Sequence, residues 1–544
     1  MSLAISGVRN RQRRRSTVLE QRFLNPGKGI NGYVSEEFIG DQEGSSANNA
    51  TIVESGGITK RFGWAKVGTG LVNAPRGLGS YYATGLSPKL LTVDGSALKY
   101  LNGTLWTAIS GATFNPSDRV NFVQAAGNMY IWNKVDPGAK LAGMTLTRPA
   151  TTPTAAFGIY YADKQVVSGV SGKLSRLYIS SAIDNGDFTN ASGELGSAVG
   201  VPGATSFAGT DAAYIDVAAD DGDMITALAK YQDQLIIFKQ RSIYSMTFDT
   251  NGQPIVKLIT NGVGCISHNT IDTVDNDLIF LSRNGYYVLG TQPNFFDQLR
   301  TNELSIRIKP YIKAITANKL NRATSIWHDN IYYGSVSVGN SATNNRVFTY
   351  HRQYTGWLQS SNINANSFTQ FISSDNEERL YYADESLPQV WVQTTGYADD
   401  DQAIPFYWES KAYDFNKFDG TKRFVDVTLL FRQLSGAVKV TVTIDGNRIQ
   451  KTYNIPGTSF SGGMGRGLLG RSLLGGATEA AALGNANSTV TNNIPIRLNV
   501  GENGRTIKIR VENANLGQSF TLLGFNFGYR PYGRNNFPAE LRVY

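Results

Sequence analysis

The sequence predicts an all-β protein: a β-propeller of about six or seven blades, a C-terminal β-sandwich and an extended N-terminal arm. Three observations carry this. A strand–turn–strand unit recurs with a period of about 40–45 residues, the spacing of propeller blades. Glycine is abundant (57 of 544 residues) and charged residues are sparse (17%), which suits many short strands joined by tight turns. The length also exceeds a single compact core, so a repeat or several domains must use it.

Residues 1–71 read as the arm. Its first thirty residues hold Arg9, Arg11, Arg13, Arg14, Arg15, Arg22 and Lys28 against a single acid, Glu20. Such a segment either contacts phosphates through counterion release or is a solvated tail that docks on a protein surface. No aromatic interleaves Arg9 to Arg15, so base stacking is not indicated. Asn25-Pro26-Gly27 and Asn31-Gly32 then impose turns.

Residues 72–400 carry the repeat. Gln232-Asp233-Gln234 aligns without a gap on Asp275-Asn276-Asp277, Leu235-Ile236-Ile237-Phe238 on Leu278-Ile279-Phe280-Leu281, and Ile243-Tyr244 on Tyr286-Tyr287. Weaker copies flank the pair: the Asp94-Gly95 hairpin, Phe122 to Asn133, Leu177 to Ser180, Ile326 to Tyr333, and Leu380 to Val392. Near 300–320, Leu304, Ile308, Ile312 and Ile315 recur at helical spacing, with Thr301-Asn302 as N-cap and Pro310 inside the pattern. A kinked helix or two short pieces is expected there, its basic side (Arg307, Lys309, Lys313, Lys319) solvated.

Residues 401–544 read as the sandwich. Its strands include Phe424 to Phe431 and Val438 to Ile444, the latter ending at an Asp445-Gly446 hairpin turn. A Gly/Ala/Leu-rich loop, 457–493, interrupts it and contains Met464, Leu468, Leu469, Leu473 and Leu474. It is either a disordered excursion or a segment that packs only against a partner or in an oligomer.

Chemistry is thin. One cysteine, Cys265, excludes an intramolecular disulfide or Cys-cluster metal site, and His268, His328 and His351 lie far apart. No GxSxG, HExxH or Walker loop occurs. Asp220-Asp221-Gly222-Asp223 could hold calcium, but without EF-hand spacing or a closing Glu it reads as a turn at a blade edge. Asp399-Asp400-Asp401 reads as a solvated linker. Cys265 and His268 are close enough for a thiol–imidazole pair, but a buried cysteine at a strand start is the commoner arrangement. No apolar run reaches the length of a membrane helix, and no apolar segment of a signal peptide follows the basic N-terminus. No catalytic residue, cofactor or metal is expected.

The segments Gly29-Ile30-Asn31, Ala47-Asn48-Asn49 and Lys60-Arg61-Phe62-Gly63-Trp64 resemble the tail nozzle proteins of short-tailed bacteriophages, also called tail tubular protein B or DNA-stabilisation proteins. So do Asp223 to Tyr244 and Gly262 to Tyr287. The resemblance covers the N-terminal segment and propeller, and the sandwich loosely. It implies a non-enzymatic virion protein of the tail: a homohexameric ring below the portal and head-to-tail adaptor. Such a ring receives fibres or spikes, retains the genome and conducts double-stranded DNA without reading its sequence. On that basis Met464, Leu468, Leu469, Leu473 and Leu474 are candidate channel-gate residues, and Arg9, Arg11, Arg13, Arg14 and Arg15 candidate adaptor- or portal-docking residues. The rivals are a propeller glycoside hydrolase or carbohydrate-binding tail spike component, and a monomeric propeller scaffold.

Overall fold

The computed structural model describes residues 17–189, 197–198, 212–250, 252–292, 295–373, 375–417, 419–432, 434–457 and 493–531. The chosen gate residues (464–474) and the arginines at 9–15 lie outside them.

Tight turns build the blades. Ala126-Gly127, Ala162-Asp163 and Asp329-Asn330 each link two antiparallel strands with both residues at positive φ (46° and 76°, 48° and 61°, 48° and 60°). This is the two-residue turn whose twist matches that of paired strands. Among the described residues seven blade sheets result, over 78–108, 121–147, 157–216, 225–261, 272–303, 324–361 and 365–393, antiparallel except where Ser197–Ala198 runs parallel to Ala213–Asp216 in the third. They are numbered here as blades 1 to 7.

The blades close into a ring. First strands of successive blades pack on one another, and the first strand of blade 7, Ala365–Ile372, returns to that of blade 1, Leu78–Tyr81. Between blades 4 and 5 the contact is made by the His268–Thr270 turn. Polar side chains join the inner strands: Ser80 Oγ lies 2.9 Å from Thr369 Oγ1, and Gln124 Oε1 accepts the Tyr82 N–H at 3.1 Å. The apolar core is divided by the same geometry. Separate clusters fill the seams between blades 1–2, 2–3, 3–4, 4–5, 6–7 and 7–1. The seam between blades 5 and 6 is continuous with the sandwich core.

The segment expected to be an extended arm is largely built into sheets. Trp64–Val67 is the outer strand of blade 7, paired antiparallel with Val390–Gln393, so a strand from before the propeller completes its last blade. Leu19–Leu24, Ala50–Ile52 and Ile58–Lys60 enter one sandwich sheet, beside Thr521–Pro531, Lys422–Arg432 and Ile494–Gly504. Gly44–Asn48 edges the other, beside Phe406–Ser410, Ile507–Asn513, Val438–Ile444 and Ile449–Ile455. The sandwich is therefore made from both ends of the described chain. Short strands separated by Gly, Pro and Asn, with partners hundreds of residues away, leave little local periodicity to read. Phe23, Tyr413, Phe525 and Phe527 meet in its core, with Phe23 and Tyr413 ring centroids 4.1 Å apart.

The insertion near 300–320 is a chain of short pieces: Ile306–Ile308, Lys309–Lys313 and Ala317–Arg322. Thr301 and Asn302, expected to cap it, belong instead to strand Phe295–Glu303, because blade 5 extends its last strand and pairs them with Leu289 and Val288. Ile308, Ile312 and Ile315 are buried as the spacing predicts, and with Ile30 they fill the space between blades 5 and 6 and the sandwich. No helix among the described residues is long and apolar enough to cross a membrane.

Candidate functional site

The three N-terminal segments singled out in the sequence converge on the junction between propeller and sandwich. Asn49 sits where the chain leaves one sandwich sheet for the other, between Gly44–Asn48 and Ala50–Ile52. Its φ of 54° makes this crossing, a conformation that asparagine tolerates better than most residues. The side chain is fully buried and saturated with hydrogen bonds. Its Oδ1 accepts from Arg61 Nε and the Ser361 N–H, both at 3.0 Å. Its Nδ2 donates to Pro405 O at 2.9 Å and to Ser361 Oγ at 3.2 Å. One amide thus ties the sandwich to blade 6 and to the chain leaving blade 7.

Arg61 extends the clasp. It grips both carboxylate oxygens of Asp399, Nη1 to Oδ1 at 2.9 Å and Nη2 to Oδ2 at 2.6 Å, in the forked geometry that favours arginine. Asp399 Oδ1 also accepts the Trp64 N–H at 3.1 Å, and Asp400 pairs with Lys66 at 2.6 Å. The acidic run read as a solvated linker is therefore engaged: Asp399 fixes the crossing of the chain entering the propeller with the chain leaving it. Gly63 permits that crossing, since a Cβ there would stand 1.8 Å from Ala398 O. Lys60 is fully buried with Nζ on Asn515 O at 2.9 Å; burial and the adjacent Arg61 lower its pKa to about 8.

The Gly29-Ile30-Asn31 segment docks on blade 6. Ile30 donates its N–H to Trp357 O at 2.8 Å, and Asn31 Nδ2 donates to Glu43 Oε2 at 2.8 Å. Gly29, at φ 78°, leaves no space for a Cβ, which would fall 2.5 Å from Trp357 N and O.

A cleft of about 560 Å³ opens beside the clasp. Residues 50–55, Arg61 and Phe62 form one side; Tyr333 and Thr349 of blade 6, with Gln393 and Tyr397, form the other. Phe62 and Tyr397 pair with ring centroids 5.6 Å apart. Sequence reading did not find this cleft, because its walls come from segments some three hundred residues apart.

The other candidate groups serve the fold. Lys239, fully buried, lies 2.8 Å from Asp221, and Asp223 accepts the Gln240 and Arg241 N–H groups at 3.1 and 2.9 Å. The acidic turn at 220–223 thus spends these two carboxylates on its own blade. Cys265 is buried and its thiol pushed up to about 11 by desolvation. His268 stacks on Phe157 at 4.8 Å and accepts the Leu228 N–H at Nδ1; burial lowers its pKa to about 4. A neutral thiol and a neutral imidazole, each committed to local partners, do not form a nucleophilic pair.

No family profile matches the chain, and no curated protein does. Among solved structures it is similar to BamB from Moraxella catarrhalis: 11% identity over 64% of this chain and 97% of that one, TM-score 0.33. It is also similar to the extracellular domain of BT4673 from B. thetaiotaomicron, at 9% identity over 74% of this chain and 58% of that one, TM-score 0.40. A third is an exo-β-1,3-galactanase from Phanerochaete chrysosporium, at 10% identity over 86% and 99%, TM-score 0.25. At these TM-scores the likenesses carry no argument about function.

Proposed function

We propose that the protein is a structural component of a bacteriophage tail, a nozzle subunit that continues the DNA channel below the portal and adaptor. In this reading identical subunits, six to a ring, retain the packaged genome and conduct it on ejection. The ring receives fibres or spikes outside and performs no catalysis. Arg9, Arg11, Arg13, Arg14 and Arg15 dock on the adaptor or portal, and the loop holding Met464, Leu468, Leu469, Leu473 and Leu474 helps to gate the channel.

One observation supports it most. The N-terminal segments of the resemblance, 29–31, 47–49 and 60–64, are the ones that clasp propeller to sandwich, with Asn49, Arg61 and Asp399 at the centre. A wall subunit under internal pressure requires such a joint, whereas an enzyme requires convergent reactive groups. The test is electron microscopy of the purified protein, alone and mixed with portal–adaptor complex. Six-fold rings, or rings formed only on the adaptor, are expected. Monomers that ignore the adaptor would overturn the reading.

The cleft bearing Phe62 and Tyr397 favours a second reading, a carbohydrate-binding or carbohydrate-cleaving propeller. Cleavage of host polysaccharide by protein that forms no rings would establish it in place of the first.

A further inference from the structure

Three arginines occupy equivalent places in three blades. Arg76, Arg119 and Arg322 each lie two residues before the first strand of their blade: Leu78–Tyr81, Asn121–Ala125 and Thr324–His328. Because first strands surround the ring axis, these positions fall on one rim of the axial opening. Arg119, from blade 2, reaches past blades 1 and 7: its Nη1 donates to the carbonyl of Arg322 at the entry to blade 6. Arg76 lies next to it, its carbonyl accepting the Val120 N–H at 3.0 Å.

The charges at this mouth do not balance. Glu385, with 1% of its side chain exposed, is the acid bonded there. Its Oε1 accepts from Arg119 Nη2 at 2.9 Å and from Arg322 Nε at 2.7 Å, and its Oε2 takes the Asn344 N–H at 2.5 Å. Among the described residues no second carboxylate is bonded to any of the three arginines. Arg76 has neither an ion pair nor a side-chain hydrogen bond, and the Nε atoms of Arg76 and Arg119 are both buried without an acceptor. Burial, with repulsion from Arg322 and Arg76 opposing the pull of Glu385, lowers the Arg119 pKa to about 10. Three guanidinium groups against one saturated carboxylate leave two excess positive charges and, at Arg76 and Arg119, buried donors without an acceptor. Unpaired buried charge of this kind is costly, and a counter-ion relieves it.

We propose that this mouth is a binding site for a small tetrahedral oxyanion of the phosphate class, held by Arg76 and Arg119 with Arg322 at its side. Guanidinium forks match such an anion in shape and in donor count.

The test uses the full chain and inorganic phosphate. Thermal unfolding is followed in chloride and in phosphate at equal ionic strength. A rise in Tm with phosphate concentration is expected, as mass action requires of a ligand bound to the folded state. Arg76→Gln serves as the variant, because that side chain holds no protein partner and its loss spares the fold. In chloride its Tm should equal or exceed that of the wild type, because an unpaired charge is removed, and it should bind phosphate at least tenfold more weakly. Broadening of the phosphate phosphorus resonance by the wild type, absent with Arg76→Gln, is the second readout. Equal Tm in the two salts, or an undiminished phosphate response in Arg76→Gln, would overturn the proposal.

Discussion

Arg61 and Asp399 stand at opposite ends of the propeller in sequence and meet in a two-point ion pair, at 2.9 and 2.6 Å, where the chain enters and leaves the ring. The pair is largely shielded, with 7% and 19% of the two side chains exposed. It therefore acts as the lock of the ring and as its link to the sandwich through Asn49.

Breaking this pair is expected to destabilise the whole chain. Asp399→Asn leaves a buried guanidinium without its counter-charge, a loss of about 3 kcal/mol. Arg61→Lys keeps the charge but cannot span both oxygens, and a loss of about 1.5–3 kcal/mol follows. Urea unfolding at neutral pH measures both. An unchanged midpoint for Asp399→Asn would show that the clasp carries no load.

Gly63→Ala tests the crossing by shape alone. The new methyl would lie 1.8 Å from the backbone oxygen of Ala398, and neither strand can yield without disturbing blade 7. A drop of several degrees in Tm is expected. Gly103→Ala is the control: its φ is 61°, but a Cβ there meets nothing within 4 Å, so only the smaller conformational penalty applies. Equal effects at the two sites would contradict the steric account.

Acid should weaken the fold through its buried histidines. Burial lowers the pKa of His351 to about 3 and that of His268 to about 4. The unfolded chain takes up these protons near pH 6.5, so the stability that each neutral ring confers is full above 6.5 and is lost as pH falls toward 4. Asp272 opposes this trend. Burial raises its carboxyl to about 7 against an unfolded value near 3.9, so its contribution grows as pH falls through the same window. The difference in stability between wild type and His351→Gln isolates one ring. The wild-type advantage should shrink by about 3 kcal/mol between pH 7 and 4, at about 1.4 kcal/mol per pKa unit. A constant difference would show that His351 is protonated in the folded state.

Removal of residues 1–15, with Arg9, Arg11, Arg13, Arg14 and Arg15, should abolish binding to the adaptor or portal while Tm stays within a degree of the full chain. Co-sedimentation with adaptor complex at moderate salt measures it. Full binding by the trimmed chain would remove the docking role from these arginines.

Deletion of 460–485, which takes Met464, Leu468, Leu469, Leu473 and Leu474, should yield assembled particles that leak DNA. Nuclease sensitivity of the packaged genome is the readout. Genome retention equal to that of intact particles would remove these leucines and the methionine from any gate.

The propeller was legible because its signal is local. Asp277 to Ser282 repeats Gln234 to Lys239, and each pairs with a neighbour only a turn away, so hydrophobic alternation and turn residues suffice. The N-terminal strands were not legible as strands. Ala50–Ile52 and Ile58–Lys60 are three residues long, and Leu19 pairs with Tyr529, a register that no local pattern encodes. The junction was legible as motif but not as geometry: Asn49, Arg61 and Gly63 drew attention as residues, while Asp399 read as linker. Arg76, Arg119 and Arg322 escaped notice because their equivalence appears only once the first strand of each blade is known.

Thr521–Pro531 pairs with Leu19–Leu24, Ile58–Lys60 and Lys422–Arg432 at once. During synthesis Leu19–Leu24 must therefore wait, without its strand partner, until a segment some five hundred residues further along emerges. Folding dominated by such distant pairings is slow and exposes open edges to other chains. The same dependence works as a check on length. A chain cut short before residue 521 lacks the strand on which Leu19–Leu24 and Ile58–Lys60 are laid, so truncated products cannot complete the sandwich however well their blades form.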